Sequence, residues 1–205
     1  MKKYRIVLAV SAMLILLSGC GSSKKELNAY ISEQDEIMDE MMEKMDDVEP
    51  SGSAAATFLN QMIPHHQSAI KMSQSYLQHA GEKGEFKELA EQIVGAQENE
   101  IKQMSEMAAR IMDEGKADEE QEALYMEEYE GMMKNHHTAH DSQAKSLDRA
   151  FAEGMSVHHQ MAVDMSKAIL VHTDEEEVIQ LADAIITQQE KEIQQMEHED
   201  GGHAH

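Results

Sequence analysis

Apolar residues along this chain recur at intervals of three and four, and no strand-type alternation competes with them. The spacing predicts a helix over Glu26 to Asp47 that carries Met38, Met41, Met42 and Met45 on one face. Pro50 and Gly52 end that pattern. A second helix is predicted from Ala54 to about Ala80, a turn over Gly81 to Gly84, and a third helix from Glu85 to about Asp113. Glu119 to His172 reads as one long helical stretch, with an interruption expected near Gly131 or Gly154, and Asp174 to about Glu197 as the last helix. Gly21 to Lys25 reads as a polar tether, and the closing HEDGGHAH as disordered.

The pattern is duplicated. FLNQMIPHHQSAIKMSQSYLQH from Phe58 returns as FAEGMSVHHQMAVDMSKAILVH from Phe151, and LAEQIVGAQENEIKQM from Leu89 returns as LADAIITQQEKEIQQM from Leu181. Each copy is a helical hairpin with one apolar stripe that it cannot bury alone, so the expected fold is an all-α four-helix bundle with approximate two-fold symmetry and extra Met-rich helical segments. The chain divides into a leader over 1–19 and a tether with a Met-rich helix over 20–53. The first repeat spans 54–113, a connecting segment with a histidine cluster 114–150, the second repeat 151–197 and a histidine-containing tail 198–205.

Both copies aim chemistry at the apolar side. At 100° per residue from Met62, His65 falls at about −60°, His66 at about +40° and Met72 at about −80°. Lys71, Gln67, Gln74 and Gln78 fall on the far side. The second copy projects Met155, His158, His159 and Met165 in the same way, while His79 and His172 lie near that face at the helix ends. On the partner helix Gln97, Glu100 and Met104 fall inward and Glu98 outward, as do Gln189, Glu192 and Met196 against Glu190. An unpaired inward carboxylate would cost several kcal/mol, so Glu100 and Glu192 require a histidine, a cation or water. Two further clusters stand apart: His136, His137 and His140 after Met132 and Met133, with an i, i+4 pair suited to one ion, and the tail's His198, His203 and His205.

The address changes the picture of which ligands are available. Lys2, Lys3 and Arg5 precede an apolar run over Ile6 to Leu17 that is too short for an ordinary membrane span, and LSGC resembles a lipobox, making Cys20 the expected lipidated residue and membrane anchor. Cys20 is the only cysteine, which excludes disulfides and thiolate sites beyond the cytoplasm. Loss of the leader leaves 14 basic residues against 40 acidic ones, a net charge of −26 that repels nucleic acid and attracts cations.

The recurring M-x-x-H-H-Q, A-x-x-M, L-A-x-x-I and Q-x-x-E-I-x-x-M signatures, over Phe58 to Met107 and Phe151 to Met196, are similar to those of the DUF305 family. That resemblance implies a ferritin-like helical fold and, for some members, copper handling at the cell envelope. From the residues themselves, imidazole and thioether without thiolate favour Cu(I), with Cu(II), Ag(I) and Zn compatible. The expected sites are His65, His66, Met62, Met72, Glu100 and Met104 in one repeat, and His158, His159, Met155, Met165, Glu192 and Met196 in the other. Methionine at helical spacing also serves as plain core filler. Three functions remain open: a non-enzymatic copper-binding lipoprotein of the cell envelope, a ferritin-like dimetal oxidase, and a helical interaction module that docks an unknown protein through the Met38 to Met45 face. The oxidase needs two E-x-x-H motifs, and none occurs. Nucleophile elbows and phosphate loops are likewise absent from the sequence.

Overall fold

A computed structural model describes residues 20–115, 117–136 and 144–200, with side chains described over 24–115, 117–134 and 144–198. All regular structure among these residues is helical: α1 (Cys20–Asp46), α2 (Ala54–Ala80), α3 (Lys87–Glu114), α4 (Glu119–His136), α5 (Leu147–Ile169) and α6 (Glu176–Asp200). Capping residues mark the boundaries. The Ser53 and Ser146 side chains accept from Ala56 N and Arg149 N at the starts of α2 and α5, and Gly115 takes the left-handed conformation that closes α3.

Three details differ from the sequence expectation. Residues 21–25 belong to α1 rather than to a tether, because nothing in their composition stops a helix that the following turns propagate. The connecting stretch is non-helical at residues 144–146, whereas Gly131 and Gly154 both lie inside helices. A lone glycine costs a helix only about 1 kcal/mol, less than packing returns. Finally, α6 runs through His198 to Asp200, into residues expected to be disordered. The leader, the Cys20 side chain, the imidazole of His136, and His137, His140, His203 and His205 lie outside the described residues.

Helices α2 and α3 form one hairpin of the repeat and α5 and α6 the other, with α2 against α5 at the centre. Helices α1 and α4 each pack on both α2 and α5. The four-helix bundle is thus covered by two further helices on the side that the apolar pattern left polar. Thr57, Gln61, Ser68 and Ser75 of α2 are buried. Hydrogen bonds replace water on most of them: Gln34 Nε2 donates to Ser75 Oγ (3.2 Å), Tyr125 Oη to Gln61 Oε1 (2.8 Å), and Thr57 Oγ1 to Glu122 Oε1 (2.5 Å). The Met-rich face of α1 turns inward, with Met41 and Met45 fully buried and Met38 and Met42 packed against the core. Among the described residues no helix is long and apolar enough to cross a membrane.

The core falls into two clusters. One, toward the end where loops 47–53, 115–118 and 170–175 gather, contains Met62, Met104, Met161 and Met165; the other contains Met72, Met155, Met196, Phe86 and Phe151. The loop end is fastened by Glu122, only 6% exposed, whose carboxylate accepts from Ser51 N (2.7 Å) and Gly52 N (3.0 Å) as well as from Thr57. Replacing it leaves Gly52 N without an acceptor and reduces the hydrogen bonds of Ser51 to α2 to those with Thr57. Glu122→Ala is expected to lower unfolding stability by about 2–3 kcal/mol, read from the midpoint of urea denaturation.

Candidate metal centre

Helices α2 and α5 run antiparallel and cross where each presents its histidine pair, so the repeat's internal symmetry brings His65 against His158. Their ring centroids are 3.8 Å apart. Each Nε2 lies 3.1 Å from the other residue's backbone carbonyl oxygen, a reciprocal bond between the two helices. A carbonyl only accepts, so Nε2 carries the proton on both rings, and Nδ1 keeps its lone pair. Ser68 adds a second tie: its hydroxyl donates to the His65 carbonyl (2.7 Å) and accepts from His158 Nε2 (2.6 Å).

The second histidine of each pair turns toward the outer helix. His66 Nε2 lies 2.9 Å from Glu100 Oε2, and His159 Nε2 lies 2.7 Å from Glu192 Oε2. The first contact is a directed hydrogen bond. The second is as close but poorly aligned, so that Nε2–H lacks a well-aimed acceptor. Gln188 Nε2 donates to the other Glu192 oxygen at 2.6 Å. Histidine is therefore the partner that both inward carboxylates required. Glu98 and Glu190 face solvent, as the helical projection predicts.

All four imidazoles are completely buried, and none of their Nδ1 atoms has a protein partner. The same is true of Gln97 Oε1, of both side-chain polar atoms of Gln189, and of the hydroxyls of Ser73 and Ser166. These residues occupy equivalent positions in the two repeats. Leaving one buried polar atom unpaired costs about 1–3 kcal/mol, so a duplicated set of them calls for partners other than protein atoms, a bound ligand or buried water. Metal-binding imidazoles typically donate the other ring N–H to a carboxylate or backbone carbonyl, and that is the arrangement of His65, His66 and His158 here. The donor types present, imidazole Nδ1 and buried thioether, are ones that a soft metal accepts.

The sulfurs sort differently from the one-site-per-repeat grouping. Because α2 and α5 are antiparallel, Met62 and Met104 share a cluster with Met165 of the second repeat, and Met72 shares one with Met155 and Met196. All six are buried. Met161, not singled out in the sequence, holds the position equivalent to Ser68 and is buried in the cluster of Met62 and Met165. The one difference between HHQSA and HHQMA was the signal for it. Among the described residues no three His, Cys, Asp or Glu side chains come together as a set able to hold an ion, so any site at this waist needs thioethers or carboxamides. His79 instead meets Glu33 (3.2 Å) and the edge of Tyr30, His172 meets Glu128 (3.0 Å), and His198 is exposed.

The family model for DUF305, a domain of unknown function, matches residues 12–108 and 55–199, and the chain belongs to that family. No curated protein matches it. Among solved structures the chain is similar to CopM in its silver-bound form, obtained by soaking, with 32% identity over 74% of this chain and 97% of that one and a TM-score of 0.55. It is similar as well to CopM in the Cu(I)-bound form (33% identity, 70% and 93% of the two chains, TM-score 0.50) and in the Cu(II)-bound form (30%, 70% and 93%, TM-score 0.52).

Burial drives the pKa of His65 and His158 well below the usual 6.5, and the neighbouring imidazoles add to the effect. Below that value the unfolded chain binds protons at these residues while the folded chain does not. Stability is therefore level above about pH 6.5 and falls below it by up to about 1.4 kcal/mol per pH unit for each ring. In the metal-free protein, going from about pH 7.5 to about pH 5.5 is expected to cost about 2–3 kcal/mol more in the wild type than in a His65→Asn, His158→Asn variant, measured by urea unfolding at both values.

Proposed function

We propose that this chain is an extracytoplasmic lipoprotein that binds copper, preferentially Cu(I), through His and Met side chains and holds it for sequestration, storage or delivery. The observation that carries this reading is the waist of four buried imidazoles with unpaired Nδ1 atoms between two clusters of buried thioethers. Neutral imidazole and thioether are the donors that a soft ion selects, and burial keeps His65 and His158 unprotonated and ready to ligate. The likeness to copper- and silver-bound CopM supports the same ion class. The net charge of −26 left after the leader would concentrate cations at the surface. A dimetal oxidase would need converging carboxylates, whereas here Glu100 and Glu192 each serve a histidine.

Titration of the reduced, metal-free protein is expected to give saturable Cu(I) uptake. Glu100→Gln with Glu192→Gln, which spares every ligand and changes only what the imidazoles lean on, should weaken affinity about 10- to 100-fold. Uptake unchanged in that variant and in one with His65, His66, His158 and His159 all replaced by alanine would move the function away from the waist. For the address, Cys20→Ser is expected to shift the protein from the membrane pellet to the soluble extracytoplasmic fraction, followed by immunoblot.

A further inference from the structure

Between α1, α2 and α5 lies a small crevice of about 30 Å³, apart from the histidine waist. Met72 closes its floor, fully buried; Met38 of α1 forms one wall, half-buried; and the exposed Asp35 stands at its rim. Gln34 also lines it, 6% exposed, with Nε2 committed to Ser75 and Oε1 without a protein partner. Residue 154, which lines the crevice, is glycine, and a Cβ there would come into contact with the Met72 methyl carbon at 3.5 Å and narrow the space. A water-sized occupant needs roughly 10–15 Å³, so the crevice admits one small guest and no organic ligand.

We infer that this crevice is a separate site for a single soft monovalent cation, Cu(I) or Ag(I), held by the Met38 and Met72 sulfurs and the Gln34 carboxamide oxygen. Two thioethers supply the soft donors, and the otherwise stranded Oε1 of Gln34 gains a partner. Asp35 at the rim supplies compensating negative charge. The inference rests on the reading of the chain as a soft-metal binder, and it assigns Met72 to this crevice rather than to the imidazoles. Because the donors come from both sides of the α1 packing surface, an ion here would fasten α1 to the repeat helices. Binding to the docked form alone raises the stability of docking.

The test uses the purified full chain, reduced and metal-free, titrated with Ag(I). Bound silver is counted by mass spectrometry, and amide hydrogen exchange is followed along α1. Silver is expected to slow exchange around residues 30–40 in the wild type. Met38→Leu, which preserves volume, should lose one equivalent of silver and that protection, while imidazole NMR shifts at the waist still respond. Gly154→Ala should lose the same equivalent although alanine favours the helix, which separates occlusion from unfolding. Met112→Leu, at a thioether 58% exposed, should behave as wild type. If Met38→Leu and Gly154→Ala both keep the full count and the α1 response, the crevice is not a site. If the wild type binds no silver, the underlying metal reading falls with it.

Discussion

The reciprocal bond between His65 and His158 is the constraint around which the molecule is arranged. Each ring donates to a carbonyl in the middle of the opposite helix, so α2 and α5 must approach closely at one register. Ala69 and Ala162, both fully buried, and the small Ser68 leave room for that approach. The bond also fixes chemistry. Donation from Nε2 requires the neutral tautomer protonated there, and full burial among other imidazoles opposes a second proton. Nδ1 is then left with an unused lone pair, buried away from bulk solvent. The interaction that sets the crossing of the two repeats is the same one that prepares their nitrogens for a ligand.

From that crossing the division of the core follows. A polar layer across the middle of a helical bundle interrupts the apolar contacts, so the buried side chains form one cluster on each side of it. Antiparallel helices place residues before one histidine pair beside residues after the other. Met62 therefore joins Met165, and Met72 joins Met155, although sequence spacing alone groups each methionine with its own repeat. A helical projection carries the angle of a side chain and not its neighbour's identity, which is why the inward faces were legible and the sulfur grouping was not.

The duplicated hairpins could be read from periodicity because their stripes are apolar and their polar residues recur at fixed intervals. Helices α1 and α4 could be seen as helices, but their position could not. They cover the side of α2 that carries Thr57, Gln61 and Ser75, and they do so with Gln34, Tyr125 and Glu122 through hydrogen bonds that leave no hydrophobic signature. Small polar residues on a helix read as a solvated face until a partner satisfies them. The Met38 to Met45 face, one expected docking surface, is largely spent on the chain's own core for the same reason: α1 had to lie somewhere, and its thioethers fill irregular gaps.

The symmetry is broken at the crossing imidazoles as well as at the carboxylate bonds of His66 and His159. Ser68 in the first repeat is Met161 in the second, and only His158 gains a hydroxyl acceptor 2.6 Å from Nε2 in addition to the carbonyl. His65 has the carbonyl alone. Hydrogen bonding at one ring nitrogen fixes the plane of an imidazole and raises the basicity of the other nitrogen. The His158 ring is thus the more firmly oriented and, at Nδ1, the stronger donor, while the residue equivalent to Ser68 in the second repeat, Met161, is buried in the apolar cluster of Met62 and Met165. Two halves built on one pattern consequently hold their crossing imidazoles unequally, His158 by a carbonyl and a hydroxyl and His65 by a carbonyl alone.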